Sequence, residues 1–257
     1  MFTLRQRLCC STQLILCVFI FQCIPIIAES RTNQKIINIA TPSWKNWTNQ
    51  DGTGFYFDLT KAIYQPLGYK ILYSIVPFAR AKVFVANSKF DAMFSLYKSQ
   101  RYNMLTPHYP INNSKVMVMF DNKVDWQGPT SLKNQHVIYP RSYEYPSMID
   151  IDFKPVEVND SKHGMLMLLK GRANFFITDA DEMSQLQQEL DVDVLKFSTK
   201  QLYAKNLYMG FAKTDKGKKL VAEFNKRLPE LIDNGTMQQL YNKWGLTQNT
   251  TSTFSMN

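Results

Sequence analysis

Cysteine is confined to one end of the chain: all four cysteines lie in residues 1–28 of a sequence of 257 residues. Beyond that segment the chain has no thiol nucleophile, no cysteine metal site and no disulfide. A fold without disulfides must be stabilised by its hydrophobic core. Hydrophobic side chains make up 45% of the chain, which is ample material for such a core.

Histidine is also scarce, and His108, His136 and His163 are too scattered to form a metal-ligand spacing with acidic residues. The sequence contains no glycine-rich phosphate loop and no nucleophile motif of the hydrolase type. We therefore expect no catalytic residue, no metal and no cofactor. On these grounds we do not expect an enzyme.

The sequence has few long apolar runs, and the most prominent one lies near its beginning. Arg5 and Arg7 precede the apolar run at 14–21, and Ala28 follows at a plausible cleavage point. This order of a basic, an apolar and a small-residue region is typical of a secretory signal peptide. A glutamine and a proline interrupt the apolar part, so it is shorter than a typical transmembrane helix. We predict a signal peptide at residues 1–28, with an uncleaved anchor as the alternative.

The charge is positive but not concentrated. Thirty Lys and Arg residues against 21 Asp and Glu give a formal net charge of +9. The basic residues are spread along the chain, which favours a soluble basic surface over nucleic-acid binding. We therefore expect no nucleic-acid partner.

The first part of the chain alternates between strand and helix patterns, which predicts a mostly parallel sheet with helices on its faces. Apolar residues at helical spacing follow the first strand, and Pro66 and Gly68 end that helix. The predicted strands are at 35–40, 69–76 and 90–96, with helices at 57–64 and after Pro77.

A second alternating series follows a polar segment at 121–129. A strand at 116–120 precedes that segment. The predicted strands of the second series are at 136–139, 156–158, 174–177, 192–195 and 207–211, and the predicted helices begin near 161, 181, 218 and 236. A second polar segment at 201–206 indicates that the chain crosses back, so two lobes would enclose a cleft at the carboxyl ends of their strands.

The predicted domain organisation follows from these two crossings. We expect lobe 1 to consist of residues 30–121 and 206–247, and lobe 2 of residues 125–201. A flexible tail would occupy residues 248–257. Hinge motion is expected near 120–125 and 201–207.

Two arginines mark the stretch at 77–101. If it forms helix, turn, strand and loop, Arg80 and Arg101 lie near one end of a sheet, where they could bind a small anion. Arg80 follows Pro77 in the first turn of a helix, where a cation opposes the helix dipole by about 0.3–1 kcal/mol. A bound anion or an acidic partner would offset that cost. Arg80 could therefore bind the ligand, form an ion pair or be solvated.

Four segments carry a family resemblance, and together they span nearly all of residues 35–246. They are GFYFDL at 54–59, KFDA at 89–92 leading to SQR at 99–101, LKGRAN at 169–174 leading to Asp179, and FN at 224–225 leading through NGT at 234–236 to KWG at 243–245. This order resembles the type II periplasmic solute-binding proteins, specifically the bacterial family 3 group that includes amino-acid-binding proteins. The segment Pro77-Phe-Ala-Arg80 is similar to a proline-x-x-arginine variant of that family.

The resemblance implies an α/β fold with two lobes and a cleft between them. It also implies that Arg101 binds the α-carboxylate of an amino-acid ligand and that Asp179 binds its α-ammonium. Either Arg80 or Arg101 would then hold the anion.

Five further residues lie where the predicted elements would place them near the cleft. Trp44 follows the first strand and could stack on the ligand or pack in the core. Ser95 and Tyr97 lie at the end of the strand predicted at 90–96 and could donate hydrogen bonds. Ser142 and Tyr143 follow a strand of lobe 2, where backbone N–H groups can meet a carboxylate.

The function that the resemblance implies is capture of a small polar ligand, such as an amino acid or a related zwitterion or anion, by hinge closure. The protein would be a periplasmic monomer that delivers its ligand to an inner-membrane ABC permease. A ligand-sensing module of the same fold is the first alternative. A periplasmic enzyme resembling a dehydratase is the second, and Asp179 is the one acid that we identify for it.

Overall fold

The computed structural model describes residues 34–98, 103–141 and 143–246. The predicted signal peptide, the predicted tail, Arg101 and Ser142 lie outside the described residues. In the described ranges, no helix combines the length and the apolar character needed to cross a membrane.

Among the described residues, nine strands form the centre of the molecule. Their bounds are β1 Lys35–Thr41, β2 Tyr69–Ile75, β3 Ala92–Leu96, β4 Met104–Leu105, β5 Asn112–Asp121, β6 His136–Pro140, β7 Lys154–Val158, β8 Phe175–Asp179 and β9 Phe197–Ala212. The sheet order is β2-β1-β3-β9-β5-β8-β6-β7, and β4 pairs with β9 off this path.

Six α-helices in the described part of the chain flank the sheet. Their bounds are α1 Phe55–Tyr64, α2 Phe78–Ala86, α3 Ser161–Leu169, α4 Ala180–Glu189, α5 Asp215–Asp233 and α6 Thr236–Lys243. Side-chain caps explain where two of them begin. The Asp160 carboxylate accepts from His163 N–H at the start of α3, and the Thr214 hydroxyl accepts from Gly217 N–H at the start of α5.

The strand directions divide the sheet into two parallel groups joined by a long antiparallel pair. At one end β1 pairs in parallel with β2 and β3, and at the other β6 pairs in parallel with β7 and β8. Between them, β9 runs antiparallel to both β3 and β5, and β5 runs antiparallel to β8. Each parallel group has helices packed on it, which is the mixed α/β class that the alternating pattern predicts.

The hydrophobic core follows the same division. One set of buried residues packs α1, α5 and α6 against the strands β1, β3 and the second half of β9, with Phe224 fully buried among them. Other sets pack β6, β8, α3 and α4, with Phe176 and Ile138 fully buried. Strand β9 contributes buried residues to both ends of the molecule, Phe211 at one and Phe197 at the other. The predicted lobe boundaries remain predictions.

Two predicted elements differ from the structure. Residues 192–195 form a turn rather than a strand, because the Asp193 carboxylate accepts from Leu195 N–H and the chain reverses there. Val194 and Leu195 are therefore 70% and 86% exposed. Residues 201–207, predicted as a polar crossing with a hinge, lie within β9. Backbone pairing with β5 runs through this segment despite its polar side chains, and the predicted hinge stays a prediction.

Candidate ligand-binding site

A cavity of about 150 Å³ lies at the carboxyl ends of β1, β3 and β8 and beside the segment that follows β6. Cavities of about that size hold a molecule as large as benzene. The carboxyl ends of parallel strands are where open α/β folds bind ligands. The lining residues are Ser43, Trp44, Lys45, Trp47, Tyr56, Phe78, Ser95, Tyr97, Asn112, Ser114, Tyr143, Tyr145, Asp179, Asp181, Glu182, Gln185 and Leu207.

A tight turn after β1 supplies two tryptophans. Trp47 N–H donates to the carbonyl of Trp44, and Tyr56 N–H in the first turn of α1 donates to the carbonyl of Trp47 at 3.0 Å. This close approach requires Gly54, because a Cβ there would lie 2.5 Å from the Trp47 carbonyl oxygen, and its φ is +128°. The turn is thus fixed against α1, and both indoles line the cavity.

An irregular point in β3 shapes the next wall. The pairing of β3 with β9 shifts register between Met93 and Leu96, and Ser95 within this bulge has a φ of 65°. A positive φ at a non-glycine residue stores strain and is concentrated at functional sites. The Ser95 hydroxyl donates to Tyr56 Oη at 3.2 Å, and Ser95 and Tyr97 both line the cavity.

Asp179 is the central acid of the site. It is the last residue of β8 and caps α4, where its Oδ1 accepts from Asp181 N–H at 3.0 Å. The hydroxyl of Ser114 on β5 donates to its Oδ2. Burial raises the pKa of Asp179 to about 7, the Ser114 hydrogen bond opposes that shift, and the Asp181 charge adds to it.

Two further carboxyls accompany Asp179. The Asp181 carboxylate accepts from Trp47 Nε1 at 3.1 Å, and Glu182 accepts from the buried Thr178 hydroxyl. Removal from water raises the pKa of both carboxyls, even though part of the Asp181 side chain reaches solvent. Within the described ranges, no group of acidic, histidine or cysteine side chains is arranged to hold a metal ion.

A tyrosine-rich segment after β6 closes the opposite side. Tyr143 Oη accepts from Trp44 Nε1 at 3.2 Å, and its ring lies 5.4 Å from that of Phe78. Tyr145 is fully buried, and within the described part of the chain its hydroxyl has no hydrogen-bond partner. Burial raises the pKa of Tyr143 and of Tyr145 well above the ordinary value, and both tyrosines line the cavity.

An ion pair joins the two sides near the tyrosine segment. Lys82 Nζ on α2 lies 2.6 Å from Glu144 Oε1, and the two side chains are 10% and 27% exposed. Glu144 lies between the two lining tyrosines and has a φ of 58°. The ion pair therefore holds the strained segment against α2, on the side of the cavity that carries Phe78.

Replacing Lys82 with methionine is expected to weaken ligand binding by about 1–3 kcal/mol, because the ion pair with Glu144 would be lost and the segment would be held less firmly against α2. Titration calorimetry with the bound solute measures the change. Lys162→Met is the matched control: its pair with Glu189 is about half exposed on both sides and lies on helices α3 and α4. Equal affinity in the two variants would contradict the role of the ion pair.

The structure brings together five of the eight residues that the sequence nominates for the site. These five are Trp44, Ser95, Tyr97, Tyr143 and Asp179. Arg80 is exposed in the first turn of α2 and is not among the residues that line the cavity. Arg101 and Ser142 lie outside the described residues, so their roles stay predictions.

Several lining residues were not nominated from the sequence. Tyr145 lies two positions beyond Tyr143, and Asp181 and Glu182 immediately follow Asp179 and Ala180. Because they are close in sequence to predicted site residues, they could have been predicted as well. Lys45 was not nominated either; it is the cation among the described lining residues, and its side chain is exposed.

The two groups of parallel strands, their antiparallel connection and the cavity at their carboxyl ends define a protein of the periplasmic-binding type. The family model of the bacterial extracellular solute-binding proteins, family 3, matches residues 38–247. The chain belongs to that family, as its resemblance predicted, and the expected fold class is confirmed. Comparison with curated proteins gives no match.

Solved structures with the same fold have low sequence identity to this chain. The substrate-binding protein of an amino acid ABC transporter is 17% identical with a TM-score of 0.65, over 81% of this chain and 98% of its own. A histidine kinase sensor domain similar to periplasmic binding proteins is 14% identical with a TM-score of 0.69, over 84% and 99%. An ABC uptake transporter substrate-binding protein from Streptococcus pneumoniae with bound histidine is 13% identical with a TM-score of 0.67, over 85% and 96%.

Proposed function

We propose that this solute-binding protein captures a small amine-bearing solute, such as an amino acid, in the cavity between the tryptophan turn and the tyrosine segment. The observation that carries the proposal is the placement of Asp179, a largely buried carboxyl among aromatic rings and at the start of a helix. A buried carboxyl that keeps its charge needs a cationic partner. A ligand ammonium would supply it.

Delivery to an ABC permease is part of the same proposal. The family and the neighbouring substrate-binding proteins of ABC transporters support it. We further propose that the protein is exported to the periplasm and acts as a monomer, and that it releases its ligand without converting it.

A sensor role is the second candidate function. The observation that favours it is the likeness of the fold to a histidine kinase sensor domain. In that case the bound state would pass a signal to a membrane partner. Transport and sensing use the same ligand site, so a binding experiment tests the feature that they share. Loss of solute uptake on deletion of the gene would support transport rather than sensing.

A thermal-shift screen across amino acids, amines, peptides, sugars and organic anions tests the proposed binding function. A bound solute at 100 times its Kd should add about 2.7 kcal/mol to the free energy of unfolding and raise the melting temperature. NMR of the hit after incubation with the protein should show the solute unchanged, whereas turnover would favour an enzyme. A screen in which no solute raises the melting temperature would contradict the proposed function.

A further inference from the structure

We infer that the cavity selects a small organic cation that also carries a hydrogen-bond acceptor, and that Tyr145 Oη donates to that acceptor. The inference rests on the proposed binding function. It adds the charge class of the solute and names a residue that binds the acceptor of the solute. A net-neutral or anionic solute would be the weaker ligand.

The charges that line the cavity favour a cation. The described lining residues supply three carboxyls, of Asp179, Asp181 and Glu182, against the single ammonium of Lys45. The excess of carboxyls persists if the predicted Arg101 also contributes a charge there. An anion entering this cavity would be repelled by like charges, whereas a cation would relieve the mutual repulsion of the acids.

The walls suit a cation as well. Seven aromatic side chains of the described residues line the cavity: Trp44, Trp47, Tyr56, Phe78, Tyr97, Tyr143 and Tyr145. The electron-rich faces of aromatic rings attract ammonium and guanidinium groups. Rings of this kind can therefore bind an organic cation although they carry no net charge themselves. The rings also exclude water, which strengthens attraction between a cation and a nearby carboxylate.

The hydroxyl of Tyr145 is an independent sign of a ligand. The side chain is fully buried and lines the cavity, yet its hydroxyl has no partner among the described residues. A buried hydroxyl without a hydrogen bond is unfavourable and is rare in folded proteins. The raised pKa of Tyr145, caused mainly by burial, keeps this hydroxyl protonated and able to donate. A ligand acceptor in the cavity would satisfy it.

Matched probe pairs that differ in charge but little in shape test the charge class by calorimetry near pH 8. The pairs are arginine with citrulline, lysine with norleucine, and choline with 3,3-dimethylbutan-1-ol, and glutamate serves as the anionic probe. In every pair that binds, the cationic member is expected to bind at least about tenfold more tightly. One charge-assisted hydrogen bond provides that ratio for arginine and lysine, and desolvated cation–π contacts provide it for choline, which has no N–H to donate. Glutamate should bind more weakly than any cationic probe that binds.

Tyr145→Phe tests the role of the hydroxyl. The variant should bind choline about tenfold more weakly but tetramethylammonium, which lacks an acceptor, with unchanged affinity. If choline does not bind, arginine replaces choline and agmatine replaces tetramethylammonium. Arginine has a carboxylate that can accept the hydrogen bond, and agmatine lacks it. The melting temperature of the free protein should not fall, because the hydroxyl has no partner to lose. Tyr203→Phe is the control: its hydroxyl contacts Met148 Sδ at 3.9 Å, and it does not line the cavity.

The outcomes separate this inference from the proposed function. Equal affinity within the charge-matched pairs, or tighter binding of a neutral or anionic solute, would overturn the cation selectivity while leaving solute binding intact. Unchanged affinity of Tyr145→Phe for the acceptor-bearing probe would overturn the role of the hydroxyl. If no solute of any charge class binds, the proposed function fails and the inference fails with it.

Discussion

Replacing Asp179 with asparagine is expected to weaken binding of the solute found by the screen by about 10- to 150-fold, the range of one charge-assisted hydrogen bond. Asparagine has the same shape, so it can still cap α4 through its side-chain oxygen and accept from Asp181 N–H. What it lacks is the negative charge that faces the ligand cation. The affinity loss therefore measures the charge and not a collapse of the site.

Titration calorimetry near pH 8, where most of the Asp179 carboxyl is ionised, gives the affinity of each variant. The matched control is Asp215→Asn, which makes the same substitution at a carboxylate that is 98% exposed on α5. The control should leave the affinity within about twofold of the wild type, because exposed charges are screened by water and salt. Comparable affinities for Asp179→Asn and Asp215→Asn would show that Asp179 does not contact the ligand.

The free protein should lose stability as the pH rises, and Asp179 should account for much of the loss. Its pKa is 3.8 when unperturbed and about 7 in the fold. Between these values the unfolded state gives up the proton while the folded state keeps it, so the free energy of unfolding falls with pH. The separation of the two pKa values corresponds to about 4 kcal/mol between acid pH and pH above 7.

Urea unfolding at a series of pH values measures this loss, and Asp179→Asn should show a markedly flatter profile. The raised pKa values of Asp181 and Glu182 act in the same direction, so the variant should retain a smaller slope. A cationic ligand should restore stability at high pH, because it favours the ionised carboxyl. A profile in the variant that follows the wild type at every pH would contradict the assignment of the pH dependence to Asp179.

Much of the local structure could be read from the sequence because local rules governed it. The strands β1 and β2 have the expected apolar patterns, and α5 begins at a threonine cap and presents one apolar face. Asp179 was found for the same reason: it ends a buried apolar strand, and the family resemblance gives that position a role. Such features depend on residues close together in the chain.

The missing parts of the site depend on contacts between distant residues. Trp47 meets Asp181 across 134 positions, and Lys82 meets Glu144 across 62 positions. No spacing rule indicates such pairs, because the sheet order and strand register bring them together. The unsatisfied hydroxyl of Tyr145 could not be predicted from the sequence either, because the lack of a hydrogen-bond partner is seen only in the folded structure.

The strand predicted at 192–195 was wrong for the opposite reason. Val192, Val194 and Leu195 have the composition of a strand, but the chain turns where Leu195 N–H donates to the Asp193 carboxylate. Val192 is still buried in the core, whereas Val194 and Leu195 are exposed. A short aspartate-stabilised turn competes with strand formation at low cost. Composition alone does not distinguish the two.

The long pair of β5 and β9 has a consequence for how the molecule unfolds. Strand β9 pairs with β3 and β4 near one end and along most of β5, and β5 pairs with β8. If either end of the molecule unfolded, it would therefore expose backbone groups and apolar side chains of the other end. We expect one cooperative transition in which calorimetric and van't Hoff enthalpies agree, and we expect that a fragment cut within β9 will not fold by itself.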